Sequence, residues 1–126
     1  MTLAVRDDIL KLQDLLLDQK QVELEVRHHF AEGCYARELH IPAGVVLVGA
    51  IHKTNHHWVI SQGVCAISDE SGGSRVVSAP YHGQTYPGDK RAIHAIEYTV
   101  MTTFHPTDKT DINEIENDII QLEGGL

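Results

Sequence analysis

The stretch that decides the fold is GAIHKTNHHWVISQG, Gly49–Gly63, where an apolar run meets three histidines and then a glycine turn. Alternate residues of a β-strand point to opposite faces, so His56 shares a face with Trp58, and His57 takes the other face. If this strand pairs with the apolar run before it, His52 and His56 converge at one end of a barrel interior. Imidazole is a common protein ligand for transition metals. The spacing therefore predicts a metal site, and the alternative is two strand-end histidines hydrogen-bonded to backbone.

The sequence around this stretch is a series of short strand patterns. Apolar and β-branched residues recur in segments about eight to twelve positions apart, with turn residues between them. This spacing predicts an all-β sandwich or barrel over residues 22–106, within a single domain of 126 residues. The predicted strands lie within Val22–Phe30, Cys34–Ile41, Val45–His52, His57–Ser61, Val64–Ser68, Arg75–Pro80, Arg91–Glu97 and Tyr98–His105.

Each end of the chain has a helical pattern instead. Apolar residues at helical spacing predict an N-terminal helix over residues 3–18. A second stripe predicts a C-terminal helix over 111–123, where Asp111 caps the start with Glu114 three residues on, and Gly124 follows the end. Both helices are expected to cover a sheet.

Composition narrows the class of partner. The formal net charge of −8 argues against a nucleic acid, because phosphate binding depends on Lys and Arg. The longest nearly apolar run, Ile41–Ile51, is shorter than the roughly 20 residues that span a bilayer. Cys34 and Cys65 form no CxxC pair and suit a reducing compartment. We therefore expect a soluble, cytoplasmic protein with no membrane partner.

The last predicted strand offers a third histidine. His105 shares a face with Met101 and Thr103, so it can point into the barrel with the other two. His94 and Glu97 are further candidates on the preceding strand, and a regular strand points only one of them inward. Glu97 is a candidate general base if it is buried.

Two arginines predict a different kind of contact. If Arg37 and Arg91 project into the barrel mouth, their guanidinium groups suit a carboxylate or phosphate on a small ligand. The alternative is an ion pair with Glu38 or Glu97, or simple exposure to solvent.

These residues resemble the motifs of the cupin superfamily, a small β-barrel of jelly-roll type. Counted back from the glycine that ends the first stretch, His56 stands where the family has Glu, and His52 stands where it has its second His. Ala50 stands where the family has its first His. The stretch YPGDKR, Tyr86–Arg91, resembles the family's second motif, and Arg91 stands at the position of that motif's histidine.

The resemblance covers roughly Phe30 to Pro106. More narrowly, HHFAEGCYARELHIPAG, IHKTNHH and PGDKRAIHAIEYTVMTTFH look like small cupin-like proteins of tailed phages and prophages, which would place the chain in a host cytoplasm. Cupins include isomerases, dioxygenases, sugar and acid binders and storage proteins, so the resemblance leaves open whether the protein is an enzyme.

Together the residues and the resemblance predict an all-β, cupin-like jelly-roll barrel with an N-terminal and a C-terminal helix, as a dimer or higher homo-oligomer. The barrel mouth is expected to bind a small anionic or sugar-like ligand through Arg37 and Arg91. A divalent metal (zinc, iron, nickel or manganese) is expected on His52, His56 and His105. The alternatives are a metal-free anion or sugar binding module, or a phage interaction or scaffold protein without catalysis.

Overall fold

The computed structural model describes residues 3–18, 22–69 and 71–121, and its core lies between two antiparallel sheets. The larger sheet has five strands in the order β1, β2, β10, β5, β8. The smaller sheet has four strands in the order β3, β9, β6, β7. The strands of the larger sheet are β1 Glu25–Ala31, β2 Cys34–Ile41, β10 Thr99–His105, β5 His56–Gln62 and β8 Tyr81–Thr85. Those of the smaller sheet are β3 Val46–Val48, β9 Ala92–Ala95, β6 Val64–Ser68 and β7 Ser74–Ser78.

The alternation seen in the sequence decides which side chains fill the space between the sheets. Trp58 and Ile60 of β5 are buried, whereas His57 before them is exposed and Val59 between them is half-buried. From the smaller sheet, Ile67 and Ile93 join the same core. The all-β barrel prediction is confirmed by this two-sheet arrangement.

The N-terminal helix, α1, spans Leu3–Leu17 and lies against β3. Its predicted range, 3–18, agrees to one residue. Val5 and Ile9 are its buried residues, as their helical spacing requires. No helix in the described part of the chain is both long and apolar enough to cross a membrane.

The C-terminal helix is shorter than predicted. Helix α2 spans Ile112–Ile119, and the Asp111 side chain caps it by accepting a hydrogen bond from the Glu114 backbone N–H at 3.1 Å. Ile120 turns extended, and the strand β11, Ile120–Gln121, pairs with β4, Ile51–His52. The predicted helix over 111–123 is therefore wrong at residues 120 and 121, because the backbone of these residues pairs with β4 instead. Residues 122–123 lie outside the described residues.

The predicted strand over 45–52 is also broken. Its two pieces are β3 and β4, and between them the Gly49 backbone N–H donates to the Arg91 carbonyl at 2.9 Å. β3 pairs with β9 in the smaller sheet, and β4 pairs with β11. The expected pairing of this run with the strand that begins at His56 does not occur, since β5 lies between β10 and β8.

The sequence analysis did not predict strand β8. β8 carries a glycine and three polar residues in YHGQT, which hides the strand pattern. Gly83 stands opposite Trp58 in the register of β5 and β8. A Cβ atom at Gly83 would lie 2.0 Å from Cζ2 of the Trp58 ring, so this position has room for glycine alone.

We predict that Gly83→Ala lowers the free energy of unfolding by about 3 kcal/mol, because the buried Trp58 ring would have to move. Gly49→Ala is the matched control, since a Cβ there meets its nearest atom, the Arg91 carbonyl oxygen, at an ordinary 3.8 Å. Urea unfolding of both variants measures the difference. Equal midpoints would contradict the packing argument.

Candidate ligand site in the barrel

On the inner face of the larger sheet, residues that are paired across neighbouring strands form rows that run across the sheet. These rows determine which side chains lie next to each predicted site residue. The first row joins Tyr35 to His105 and His56 to Thr85. The second row runs His28, Arg37, Thr103, Trp58 and Gly83. The third row runs Val26, Leu39, Met101, Ile60 and Tyr81. Polar side chains on this face thus lie in the first row and in the second row as far as Thr103, and the third row is apolar apart from the tyrosine hydroxyl.

The three predicted histidines form one cluster. The ring centroids of His52 and His56 lie 4.4 Å apart, those of His56 and His105 4.5 Å, and those of His52 and His105 6.2 Å. His56 and His105 come from adjacent strands of the larger sheet. His52 comes from β4, and the Gly88 backbone N–H donates to its carbonyl at 2.9 Å. The sequence-based grouping therefore has the expected members, although it is built by strands that do not pair as expected.

The cluster is held uncharged by its surroundings. Burial lowers the pKa of His52 to about 4, with the neighbouring His56 adding to the effect. Burial lowers the pKa of His105 to about 3, with His56 and His52 as the next causes. Burial also lowers the pKa of His56, against a backbone hydrogen bond at Thr54 that raises it. All three rings are neutral imidazoles at pH 7, the form in which histidine binds a metal.

Each of the three rings also has a buried Nδ1 atom. Within residues 3–18, 22–69 and 71–121, none of the Nδ1 atoms of His52, His56 and His105 has a hydrogen-bond partner. On the other side of its ring, His105 Nε2 is hydrogen-bonded to Thr103 Oγ1 at 2.9 Å. Buried polar atoms are usually satisfied, so three such nitrogens in one cluster make it the candidate binding position.

The cluster opens onto a cavity of about 460 Å³, within the range of small-molecule sites. Arg91 Nη1 donates to Thr85 Oγ1 at 2.9 Å, and its Cζ lies 4.8 Å from the centre of the Trp58 ring. Arg37 lines the same cavity, and its guanidinium has no hydrogen-bond or ion-pair partner within residues 3–18, 22–69 and 71–121. Two fixed positive charges thus face a cavity whose histidines are neutral.

Glu97, the candidate general base, lies elsewhere. β9 ends at Ala95, the chain bends, and Glu97 is exposed and does not line the cavity. Its backbone N–H donates to the Val64 carbonyl at 3.0 Å, which holds the bend on the smaller sheet. His94 is exposed as well.

Glu38 does not pair with Arg37, because neighbours on one strand take opposite faces. On the outer face its carboxylate pairs with His29 at 3.0 Å and with His40. These hydrogen bonds lower the pKa of Glu38, His40 first and His29 second. The predicted alternative, an ion pair between Arg37 and Glu38, is therefore wrong.

Several cavity residues were missed in the sequence. Tyr35 and Thr85 share a row with His105 and His56, and strand alternation alone would have placed Tyr35 on the same face as Arg37. Thr103, which the sequence already placed on the face of His105, lines the cavity as well. Asp89 is buried, lines the cavity and accepts a hydrogen bond from the Tyr86 backbone N–H at 2.9 Å. The turn sequence PGDK gave the signal for Asp89, since an aspartate that closes a turn commonly bonds its backbone.

The metal prediction has a further geometric test. Among the described residues, no group of three or more His, Cys, Asp or Glu side chains stands in a position to hold a metal ion. The three histidines are close together, but their nitrogens do not yet converge on one point. A metal at this cluster therefore requires rotation of the rings.

Comparison with known proteins places the fold. No family model matches the sequence, and no curated protein matches it. Among solved structures, it resembles the Cupin_2 domain of an XRE family transcriptional regulator from Enterobacter cloacae, with 12% identity over 67% of this chain and 97% of that chain, at a TM-score of 0.56. The cupin domain of Schizosaccharomyces pombe Cnp3 is 19% identical over 81% of this chain and 76% of that chain, at a TM-score of 0.57.

A third solved structure, salicylate 1,2-dioxygenase from Pseudoaminobacter salicylatoxidans, is 13% identical over 98% of this chain, at a TM-score of 0.63. This chain spans only 37% of that enzyme's chain. At such identities the likeness concerns the fold alone. The chain has the cupin fold, a jelly-roll barrel with terminal helices, and the fold-class prediction is confirmed. The narrower likeness to phage proteins stays a prediction.

We predict a loss of stability in mild acid for the metal-free protein. The folded-state pKa values of His52 and His105, about 4 and about 3, lie below the ordinary 6.5, so the unfolded chain takes up protons first. The contribution of the neutral rings is complete above pH 6.5 and is lost as the pH falls from 6.5 toward these values. Urea unfolding at pH 7.5 and pH 5.5 measures this loss.

Two variants assign that loss to the cluster. His52→Gln should reduce the difference between the two pH values, whereas His94→Gln, at an exposed position of the smaller sheet that does not line the cavity, should leave it unchanged. An identical pH difference in both variants and the parent protein would contradict the assignment.

Proposed function

We propose that the protein binds a small organic anion in the barrel cavity, at a divalent metal ion held by His52, His56 and His105. The observation that carries this proposal is the cluster of three neutral imidazoles with unpartnered Nδ1 atoms. Arg37 and Arg91 line the same cavity and supply the charge for an anion. The proposal leaves the reaction unnamed.

The spacing of the rings supports a shared metal. Imidazoles bound to one ion at about 2.1 Å have ring centres about 4.5–5.5 Å apart. Two of the observed separations, 4.4 and 4.5 Å, are close to this range, and the third, 6.2 Å, is somewhat longer. A modest movement of His52 or His105 toward the other brings all three within reach of one ion. Low pKa values favour this use, since no proton has to be displaced at neutral pH.

The cavity's other polar groups support binding of the anion itself. A guanidinium pairs with a carboxylate through two parallel N–H groups, which fixes the orientation of the ligand. Arg37 is available for this contact, whereas Arg91 is already positioned by Thr85 and the Trp58 ring. Thr103 lies next to Arg37 in the second row and offers a hydroxyl. A bound divalent ion would supply a Lewis acid that polarises a ligand oxygen.

The second candidate function is anion binding without a metal. It is supported by the positions of the histidines, which do not converge on one point in the described residues. In this case the unpartnered nitrogens would donate hydrogen bonds to the ligand in their N–H form, beside the two arginines. The two candidates share the anion and differ in the metal.

We predict that untagged, full-length protein carries about one divalent ion per chain after incubation with zinc, iron, nickel or manganese. His52→Ala combined with His105→Ala should abolish it. His57→Ala combined with His82→Ala is the matched control, because these exposed rings also lie side by side, 3.0 Å apart between His57 Nδ1 and His82 Nε2. Metal content by mass spectrometry is the measurement. Folded parent protein without metal in every incubation would leave only the second candidate.

The anion has a separate test. Thermal shifts with acetate, malonate, phosphate and a sugar phosphate should show stabilisation by at least one anion, and Arg37→Gln should remove it. Arg27→Gln is the control on the outer face of the same sheet, where the Arg27 guanidinium contacts Glu25 at 3.3 Å. The absence of a shift with every anion would contradict both candidates and favour a scaffold role.

A further inference from the structure

We infer that the ligand of this cavity is a monocarboxylate with an apolar chain or ring, whose carboxylate pairs with Arg37 and whose apolar part lies on the third row of the larger sheet. The inference deepens the proposed function and rests on it. It replaces the broad expectation of an anionic or sugar-like ligand by one chemical class.

The apolar part of the site begins directly beside Arg37. Leu39 follows Arg37 on the same face of β2, and Val26 and Met101 flank it in the third row. All three line the cavity. From the opposite sheet, Leu47 and Ile93 line it as well. One end of the cavity is therefore a continuous apolar surface.

Helix α2 adds a second apolar wall. Ile112, Ile115 and Ile119 line the cavity from this helix, and Ile115 and Ile119 pack against Tyr35. A sugar between two apolar walls would lose the water around its hydroxyl groups without gaining partners, which costs free energy for each group. The walls therefore exclude a polyhydroxylated ligand and favour hydrocarbon.

The charges that face the cavity favour a single carboxylate. Of the charged side chains that line the cavity, Arg37 and Arg91 are basic, and Asp89 and Glu116 are acidic. Asp89 is occupied by the Tyr86 backbone, and Arg91 is occupied by Thr85. One planar guanidinium without a partner matches one planar carboxylate. Among the described residues that line the cavity, no basic side chain besides Arg37 is without a partner, so the side chains match one carboxylate better than a phosphate dianion.

The position of the two groups sets the approximate length of the ligand. Alternate residues of a strand are about 7 Å apart, so the row of Arg37 and the row of Leu39 are separated by this distance. A chain of about five carbons beyond the carboxylate has a similar length. Hexanoate is therefore the probe. Acetate tests the carboxylate without the chain, and hexanol and hexylammonium test the chain without the carboxylate.

We expect hexanoate to bind more tightly than acetate, hexanol and hexylammonium in calorimetric titrations of the full chain. The affinity should rise about threefold to fourfold for each methylene from butanoate to hexanoate, as apolar burial requires. Arg37→Gln should reduce hexanoate to the affinity of hexanol.

Val26→Thr tests the apolar surface, because it keeps the volume of the side chain and adds a hydroxyl. It should flatten the dependence on chain length and leave acetate unchanged. Val59→Thr, on the outer face of β5, is the matched control, and the melting temperatures of both variants verify folding.

The outcomes separate this inference from the proposal beneath it. Anion binding that is lost in Arg37→Gln but is equal for acetate and hexanoate would overturn the apolar assignment and leave the proposed function standing. Tighter binding of a sugar phosphate than of hexanoate would do the same. Absence of binding for every anion, with no metal retained, would overturn both.

Discussion

The hydrogen-bonded register of β2, β10 and β5 is the constraint on which the cavity depends. It places Arg37 beside Thr103 and Thr103 beside Trp58, and it places His105 one row away. A slip of one residue would turn every one of these side chains to the outer face, because the side-chain period of a strand is two. β10 carries this register from both sides, since it pairs with β2 on one edge and β5 on the other.

Burial and charge act together in the resulting cavity. Moving an imidazole out of water penalises its protonated form, and the nearby cations add to that effect at His52 and His56. The site therefore concentrates positive charge on arginine, which cannot lose it, and leaves the histidines neutral. Under the proposed function, the arginines attract the anion, and the imidazoles supply lone pairs or N–H groups.

Strand alternation accounts for what the sequence could predict about the site. It separated His56 from His57 and aligned His105 with Thr103, while apolar residues at helical spacing indicated the two helices outside the barrel. It could not supply the partners of each strand. β4 pairs with a segment of chain far away in sequence, which no local pattern encodes, and Glu38 pairs with histidines of its own and the neighbouring strand. β8 was not predicted because a glycine is unusual inside a strand. The glycine at position 83 is explained only by the Trp58 ring, which occupies the space of a side chain there.

The pairing of β4 with β11 has a consequence for the order in which the protein matures. His52 stands opposite Ile120, so a residue of the histidine cluster from the middle of the chain is paired with backbone from beyond helix α2. The Lys53 backbone N–H also donates to the Ile119 carbonyl at 2.7 Å. During synthesis, all described strands of the two larger sheets are present once His105 has been made, whereas the described strand partner of His52 follows only at residues 120–121. The barrel can thus form before the backbone of the histidine cluster is fully paired.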